Sequence, residues 1–288
     1  MCIRDRLEGT VSVEQLGQFP LEHGQVTIAP ENPHFWCPDD PYLYRFTVET
    51  AQDKVESYFA IRSLEIKKVG GYPRLCLNGK PYFFHGLLDQ GYWPEGLLTA
   101  PAPESYADDI LAMKRLGFNT LRKHIKVEPE EFYYQCDRLG MIVWQDMVNN
   151  GSYSYFRDTV LPTIGIQKWN DRQLHLDERS RNTFRQGAAD AVNQLKNHPC
   201  ICYWTIFNEG WGQFDSDRVC GWFRTLDATR FIDTTSGWFR GKNTDVDSRH
   251  QYFGKLRLKG DGLRPLVLSE FGGKTWRCLL YTSPSPRD

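Results

Sequence analysis

Cys200-Ile201-Cys202-Tyr203-Trp204-Thr205-Ile206-Phe207-Asn208-Glu209 is an almost unbroken apolar run closed by an amide and a carboxylate. A run without polar alternation is the pattern of a strand buried on both faces, as in a parallel sheet covered by helices. A second run, Pro265-Leu266-Val267-Leu268-Ser269, closes in Glu270-Phe271-Gly272-Gly273. Carboxylates at the carboxyl ends of parallel strands are where (β/α)-barrel enzymes hold their chemistry. Two of them, from two strands, are what glycoside hydrolysis requires.

Working outward from the first run, strand and helix patterns alternate. Tyr82–Gly86 reads as strand one, Ser105–Leu116 as a helix, Asn119–His124 as strand two and Met141–Trp144 as strand three. Between strands two and three, Pro129 suits the first turn of a helix that Gly140 ends. A long stretch, about 148 to 176, is rich in Gly, Asn, Ser, Tyr and Trp, and its length marks it as a candidate active-site wall. A helix carrying Phe184, Ala188, Ala191, Val192 and Leu195 then leads into the Glu209 strand. Further on, a helix capped by Asp215 or Ser216 is followed by Phe231–Thr235, His250–Phe253 and Leu266–Leu268 as strands five, six and seven.

Repeated βα units predict a parallel sheet with right-handed crossovers. Seven such strands fit a (β/α)8 TIM barrel missing its last strand. No Gly-rich phosphate fingerprint follows the first strand, which argues against a dinucleotide fold. Upstream, Tyr42–Val48 and Val55–Ile61 read as a hairpin turning at Gln52-Asp53, part of a β-sandwich. The expected division is a partial sandwich over 1–68, an incomplete barrel over 69–277 and a non-native tail over 278–288. The Pro-rich end, Pro284-Ser285-Pro286, is unsuited to a central strand, and Met1–Arg6 also reads as foreign.

The 288 residues carry a net charge of -1 and 40% hydrophobic residues. That balance supplies a core and gives no basic surface for nucleic acid. No apolar stretch reaches membrane-spanning length, and compartment stays open. The eight cysteines show neither a zinc spacing nor C-x-x-C, so they read as small buried thiols.

Five segments together resemble glycoside hydrolase family 2, the group of β-galactosidases, β-glucuronidases and β-mannosidases. They are Phe35–Tyr44, Arg122-Lys123-His124, Trp144–Met147, Trp204–Gly212 and Ser269–Gly272. The resemblance implies an immunoglobulin-like sandwich before a catalytic barrel, and a retaining exo-β-glycosidase releasing a terminal sugar, β-galactoside or β-glucuronide favoured. It implies Glu209 as acid/base and Glu270 as nucleophile. It makes Asn208 a ligand of the sugar 2-hydroxyl and Tyr252 an orienting group near the nucleophile. It implies a carbohydrate substrate, no cofactor, and allows a homo-oligomeric full-length parent. Arg122 and His124, two apart on one strand, are expected at the site with Asp146, and Trp238 as a sugar-stacking ring. Arg122 has a salt bridge with Glu270 as one role. Asp146 either binds a hydroxyl or pairs with Arg122 or Lys123. His250 is a weaker signal, and His85 and Asp89 weaker still. No metal cluster is expected. The alternative is a non-catalytic carbohydrate-binding barrel or an inactive fragment of such an enzyme. An acyl hydrolase lacks its G-x-S-x-G elbow.

Overall fold

The computed structural model describes residues 8–149, 154–164, 166, 170–174, 177–252, 255 and 258–272. The two proposed foreign ends, Met1–Arg6 and 278–288, lie outside them.

The N-terminal part is an antiparallel sheet of β1 (Gly9–Val13), β2 (Gly17–Leu21), β3 (Tyr44–Glu49) and β4 (Lys54–Phe59), in the order β2-β1-β3-β4. The β3–β4 hairpin turns at residues 50–53 as the sequence predicts. Val11, Val13, Leu21 and Tyr44 form its buried core, with Phe46 and Phe59 packed against them.

A three-stranded meander follows, of β5 (Leu64–Val69), β6 (Tyr72–Leu77) and β7 (Lys80–Pro81). The sequence reading passes over it, although its turns are legible. Gly70-Gly71 and Asn78-Gly79 all have positive φ, the backbone that tight hairpin turns demand.

The barrel strands are β8 (Gly86–Asp89), β9 (Thr120–Lys123), β10 (Ile142–Asp146), β11 (Ile201–Asn208) and β12 (Phe231–Ser236), parallel and hydrogen-bonded in the order β12-β11-β10-β9-β8. A separate parallel pair, β13 (Asp247–Gln251) and β14 (Leu266–Phe271), supplies strands six and seven. Helices α1 (Pro103–Arg115) and α2 (Glu130–Leu139), the short α3 (Leu161–Thr163), α4 (Glu178–Leu195) and α5 (Ser216–Leu226) occupy the connections. All eight residues of β11 are buried, which is why that segment reads as one apolar run.

Several boundaries differ from the sequence reading, among them that β14 runs on to Phe271 and so includes Glu270. Strand one is Gly86–Asp89, so the aromatic Tyr82–His85 run leads into it rather than forming it, and Phe83 is largely exposed. Pro129 is the N-cap of α2, one place before the position assigned to it. Strand six begins at Asp247, which leaves Tyr252 just past its end. In strands one and six, aromatic or β-branched character pulls the reading away from the residues that actually form the ladder.

The sandwich seats on the barrel base through polar contacts. Trp36 is fully buried and donates to the Asp137 carbonyl at 2.8 Å. Tyr58 donates to Asp137 Oδ2 at 2.7 Å. Arg62 donates to the carbonyls of Pro199 and Ile201.

Of the cysteines described, Cys76, Cys136, Cys200, Cys202 and Cys220 are buried free thiols and Cys37 is half-buried. Burial pushes the Cys200, Cys202 and Cys220 thiols up, so these groups are inert packing.

Candidate active site

β11 ends at Asn208, and Glu209 follows in the left-handed region at φ 52°. This backbone costs a non-glycine residue about 1–2 kcal/mol. Two hydrogen bonds hold it, Glu209 N–H to Ser236 O and Trp211 N–H to Asn208 O, both 3.0 Å. Strain retained at a strand end by its surroundings is characteristic of functional positions. Glu270 projects from β14, and its side chain is 9% exposed.

The two carboxylates converge on one phenol. Tyr252 Oη stands 2.6 Å from Glu209 Oε1 and 2.5 Å from Glu270 Oε2. Burial, then the two carboxylates, raises the Tyr252 phenol well above its ordinary value. It therefore keeps its proton and acts as a donor. His250, whose side chain is fully buried, contacts both groups, with Nδ1 at 2.9 Å from Glu209 Oε1 and Nε2 at 3.5 Å from Glu270 Oε1. One ligand atom each from Glu209, His250 and Glu270 lie within 4.8 Å of one another. A cation would find donors there, but the hydrogen bonds to Tyr252, Arg122 and Ser236 already engage them.

Arg122 forms the floor. Its Nε and Nη2 reach the two oxygens of Asp146 at 3.0 Å each, a bidentate pair. Its Nη1 reaches Glu270 Oε1 at 2.9 Å, and Nη2 also reaches Asn208 Oδ1 at 2.9 Å. Burial opposes the Arg122 charge, but Asp146 and Glu270 outweigh it and hold the guanidinium cationic. Burial likewise works against the Asp146 anion, yet Arg122 and His124 hold its carboxyl below the usual range. His124 Nδ1 lies 3.1 Å from Asp146 Oδ2.

Thus Glu209, Glu270, Asn208, Arg122 and Tyr252 share one hydrogen-bonded cluster. Asp146 and His124 lie behind it. Asp146 is 1% exposed, and Arg122 and His124 engage its oxygens, so it meets Arg122 rather than the open cleft. Lys123 points the other way, to Asp89 and Glu128. Trp238 is half-buried, its ring 6.5 Å from that of His250. His85 packs on Phe118, away from the cluster. The sequence reading gave His250 only modest weight and did not single out Ser236. Their signal was positional: His250 precedes Tyr252 by two residues, and Ser236 ends strand five in register with Asn208.

The described part of the stretch after β10 backs the Glu209 turn. Asp158 and Asp171 are buried beside Gly210, Gln213 and Phe239. Asp171 Oδ2 accepts from Gln213 Nε2 at 2.8 Å and from Ser216 N–H at 3.0 Å. Asn149 Nδ2 donates to the Trp211 carbonyl.

The model of the TIM barrel domain of glycosyl hydrolases family 2 matches residues 69–255, and a second model of that family matches residues 4–62. A β-galactosidase of Pseudoalteromonas haloplanktis is 28% identical over 266 residues, 85% of this chain and 24% of the relative. A β-galactosidase of Yersinia enterocolitica is 27% identical over 83% of this chain and 21% of the relative. The chain thus spans about a quarter of the length of these curated relatives. Among solved structures, the β-D-glucuronidase of Dictyoglomus thermophilum superposes with TM-score 0.72 at 18% identity, covering 94% of this chain and 50% of that one. A β-galacturonidase of Eisenbergiella tayi gives 0.66 at 20%, covering 96% and 52%. At these identities the likeness is one of fold. A partial barrel preceded by a sandwich, the expected class, is the fold observed.

Proposed function

The chain belongs to glycosyl hydrolases family 2, and from that premise we propose that it carries the two-carboxylate machinery of a retaining exo-β-glycosidase. The observation that carries this reading is the bridging of Glu209 and Glu270 by Tyr252 Oη. A carboxylate oxygen of each lies within 4.8 Å of the other. Retaining enzymes hold the pair about 5–5.5 Å apart, whereas inverting enzymes leave about 6.5–9.5 Å for a water.

In this reading Glu270 attacks the anomeric carbon and forms a glycosyl ester, while Glu209 gives its proton to the departing glycosidic oxygen. Glu209 then takes a proton from water, which displaces the ester. Arg122 pairs with Glu270 and aims it. It also occupies Asn208 Oδ1, which leaves the Asn208 amide N–H groups as the donors for a sugar 2-hydroxyl. Trp238 offers an apolar ring at the rim for a sugar face. Asp146 and His124 act through Arg122. A terminal β-galactoside or β-glucuronide is the proposed substrate, in keeping with the names of the relatives.

The test is incubation with a panel of 2-deoxy-2-fluoro β-glycosides bearing good leaving groups, followed by peptide mass mapping. The expected result is one covalent sugar on the Glu270 peptide, and the sugar that reacts names the substrate. An adduct on another carboxylate overturns the assignment. A folded protein that reacts with no sugar favours a carbohydrate-binding barrel instead.

A further inference from the structure

His250 has no role in the scheme above, yet among the described residues its imidazole, like the Tyr252 phenol, contacts both carboxylates. Its side chain is 0% exposed. A Cβ on Gly237, which has φ +85°, would fall 2.4 Å from His250 Nδ1, so the ring packs directly on that backbone. The position is built for an imidazole lying flat against it.

The proton on the ring can be placed from its neighbours. Nε2 lies 3.0 Å from Ser236 Oγ. Three serine hydroxyls cluster there, with Ser248 Oγ 2.6 Å from Ser269 Oγ and Ser236 Oγ 3.1 Å from Ser269 Oγ. Ser269 has a carbonyl acceptor at Arg249, 3.2 Å away, and Ser248 faces Asp233. The Ser236 hydroxyl, which donates to Ser269 Oγ, has Nε2 as its second acceptor within reach, and the carboxylate oxygen facing Nδ1 calls for an N–H on that nitrogen. A neutral imidazole with Nε2 accepting carries its proton on Nδ1, and Nδ1 points at Glu209 Oε1 at 2.9 Å.

We propose that His250 is a positioning residue whose Nδ1–H holds the Glu209 carboxylate and stabilises it when it carries the negative charge. The proposal rests on the retaining reading given above. In that cycle the pair carries one negative charge throughout. It resides on Glu270 before attack, and on Glu209 once Glu270 is a neutral ester. A donor fixed on Glu209 therefore strengthens in the glycosyl-enzyme, where Glu209 must act as base. The groups facing the ring are Glu209 beyond β11, Glu270 and Ser269 on β14, Ser236 and Asp233 on β12, and Tyr252 on its own segment, with Arg122 of β9 behind Glu270.

The experiment compares the wild-type chain with H250A and H250N, on 2,4-dinitrophenyl and methyl glycosides of the sugar that labels the enzyme. Dinitrophenolate leaves without acid assistance. H250A is expected to leave kcat/KM on the dinitrophenyl glycoside within about 3-fold. It should lower kcat on that substrate, and kcat/KM on the methyl glycoside, by about 10–100-fold, a part of what acid–base catalysis supplies. The alkaline limb of kcat/KM should move to higher pH, because deleting a donor to a carboxylate favours its protonated form. H250N, whose amide N–H stands near the place of Nδ1–H, should recover most of the loss. Equal losses on both substrates with an unmoved pH profile, or no recovery in H250N, overturn the proposal. Should the wild type turn over no glycoside, the glycosidase reading fails separately. Histidine 15N spectra then decide: Nδ1–H at His250, perturbed by E209Q, supports the contact, and an Nε2–H tautomer overturns it.

Discussion

Arg122 has an acceptor for each of its five N–H groups: Asp146 twice, Glu270, Asn208 and, at 3.4 Å, the Ser269 carbonyl. A lysine has the charge but not the fork. R122K is expected to lower kcat about 10²-fold with KM little changed, through misplacement of Glu270 and Asn208, as steady-state kinetics would show. R122A strips the buried Asp146 of its counter-charge and should cost about 3–5 kcal/mol in denaturant titration. Two buried aspartates near Arg122 behave oppositely. Asp146, held low against the pull of burial, lends stability above its unfolded pKa that is lost as pH falls through its lower folded value. Asp233 is raised by burial, which the hydroxyls of Ser248 and Tyr203 and the charge of Arg122 only partly offset. The folded state then binds the extra proton, so this group's contribution falls as pH rises from its unfolded value through its folded one. Stability curves of D233N against wild type should therefore diverge in favour of the variant as pH rises above about 4. A difference that shrinks with rising pH would refute the assignment.

At the scale of elements, helix α2 stops because Gly140 takes φ 74°, a left-handed C-cap. A Cβ there would meet the Pro38 carbonyl oxygen at 2.3 Å. Lys114 of α1 donates to the carbonyls of Pro38, Leu139 and Gly140 at the same point. G140A combines the backbone penalty with a clash and should lower stability by about 2–4 kcal/mol, read by urea titration. Elements of this kind are the ones a single sequence reveals. The βα alternation, the fully buried β11 and the Gly140 stop follow from periodicity and turn chemistry. The meander β5–β7 was equally written in Gly70-Gly71 and Asn78-Gly79, but its short strands lack a long pattern. Strand one was misplaced because Tyr82–His85 has strand-like composition while β8, with Gly86 at its start, does not. At the site, strand-end carboxylates are visible as such, and their pairing follows from the resemblance. The His250–Ser236 contact is not legible, because it depends on how β12 and β13 pack side by side without a shared ladder.

Across the whole molecule, the sandwich and barrel meet at Asp137, which is fully buried. Its carboxylate accepts from Tyr58, from the Cys200 N–H at 2.8 Å, and lies 2.6 Å from His198 Nδ1. Y58F removes one hydrogen bond to a buried charge and should cost about 1.5–3 kcal/mol, seen as a lower denaturation midpoint. The described barrel strands divide into a five-stranded sheet and the two-stranded β13–β14 pair. Glu209 follows directly on a strand of the first, while Glu270 stands on the second and Tyr252 just past the end of its β13. Cooperative opening units tend to follow such divisions. Amides of Val267 and Leu268 are therefore expected to exchange with deuterium faster than those of Ile201 to Phe207, and any turnover to fade in denaturant before tryptophan fluorescence changes. Identical exchange rates in the two groups would contradict this. Glu209 and Glu270 would then be kept in register by an association weaker than either sheet, and loss of any activity would be a dissociation event that precedes denaturation.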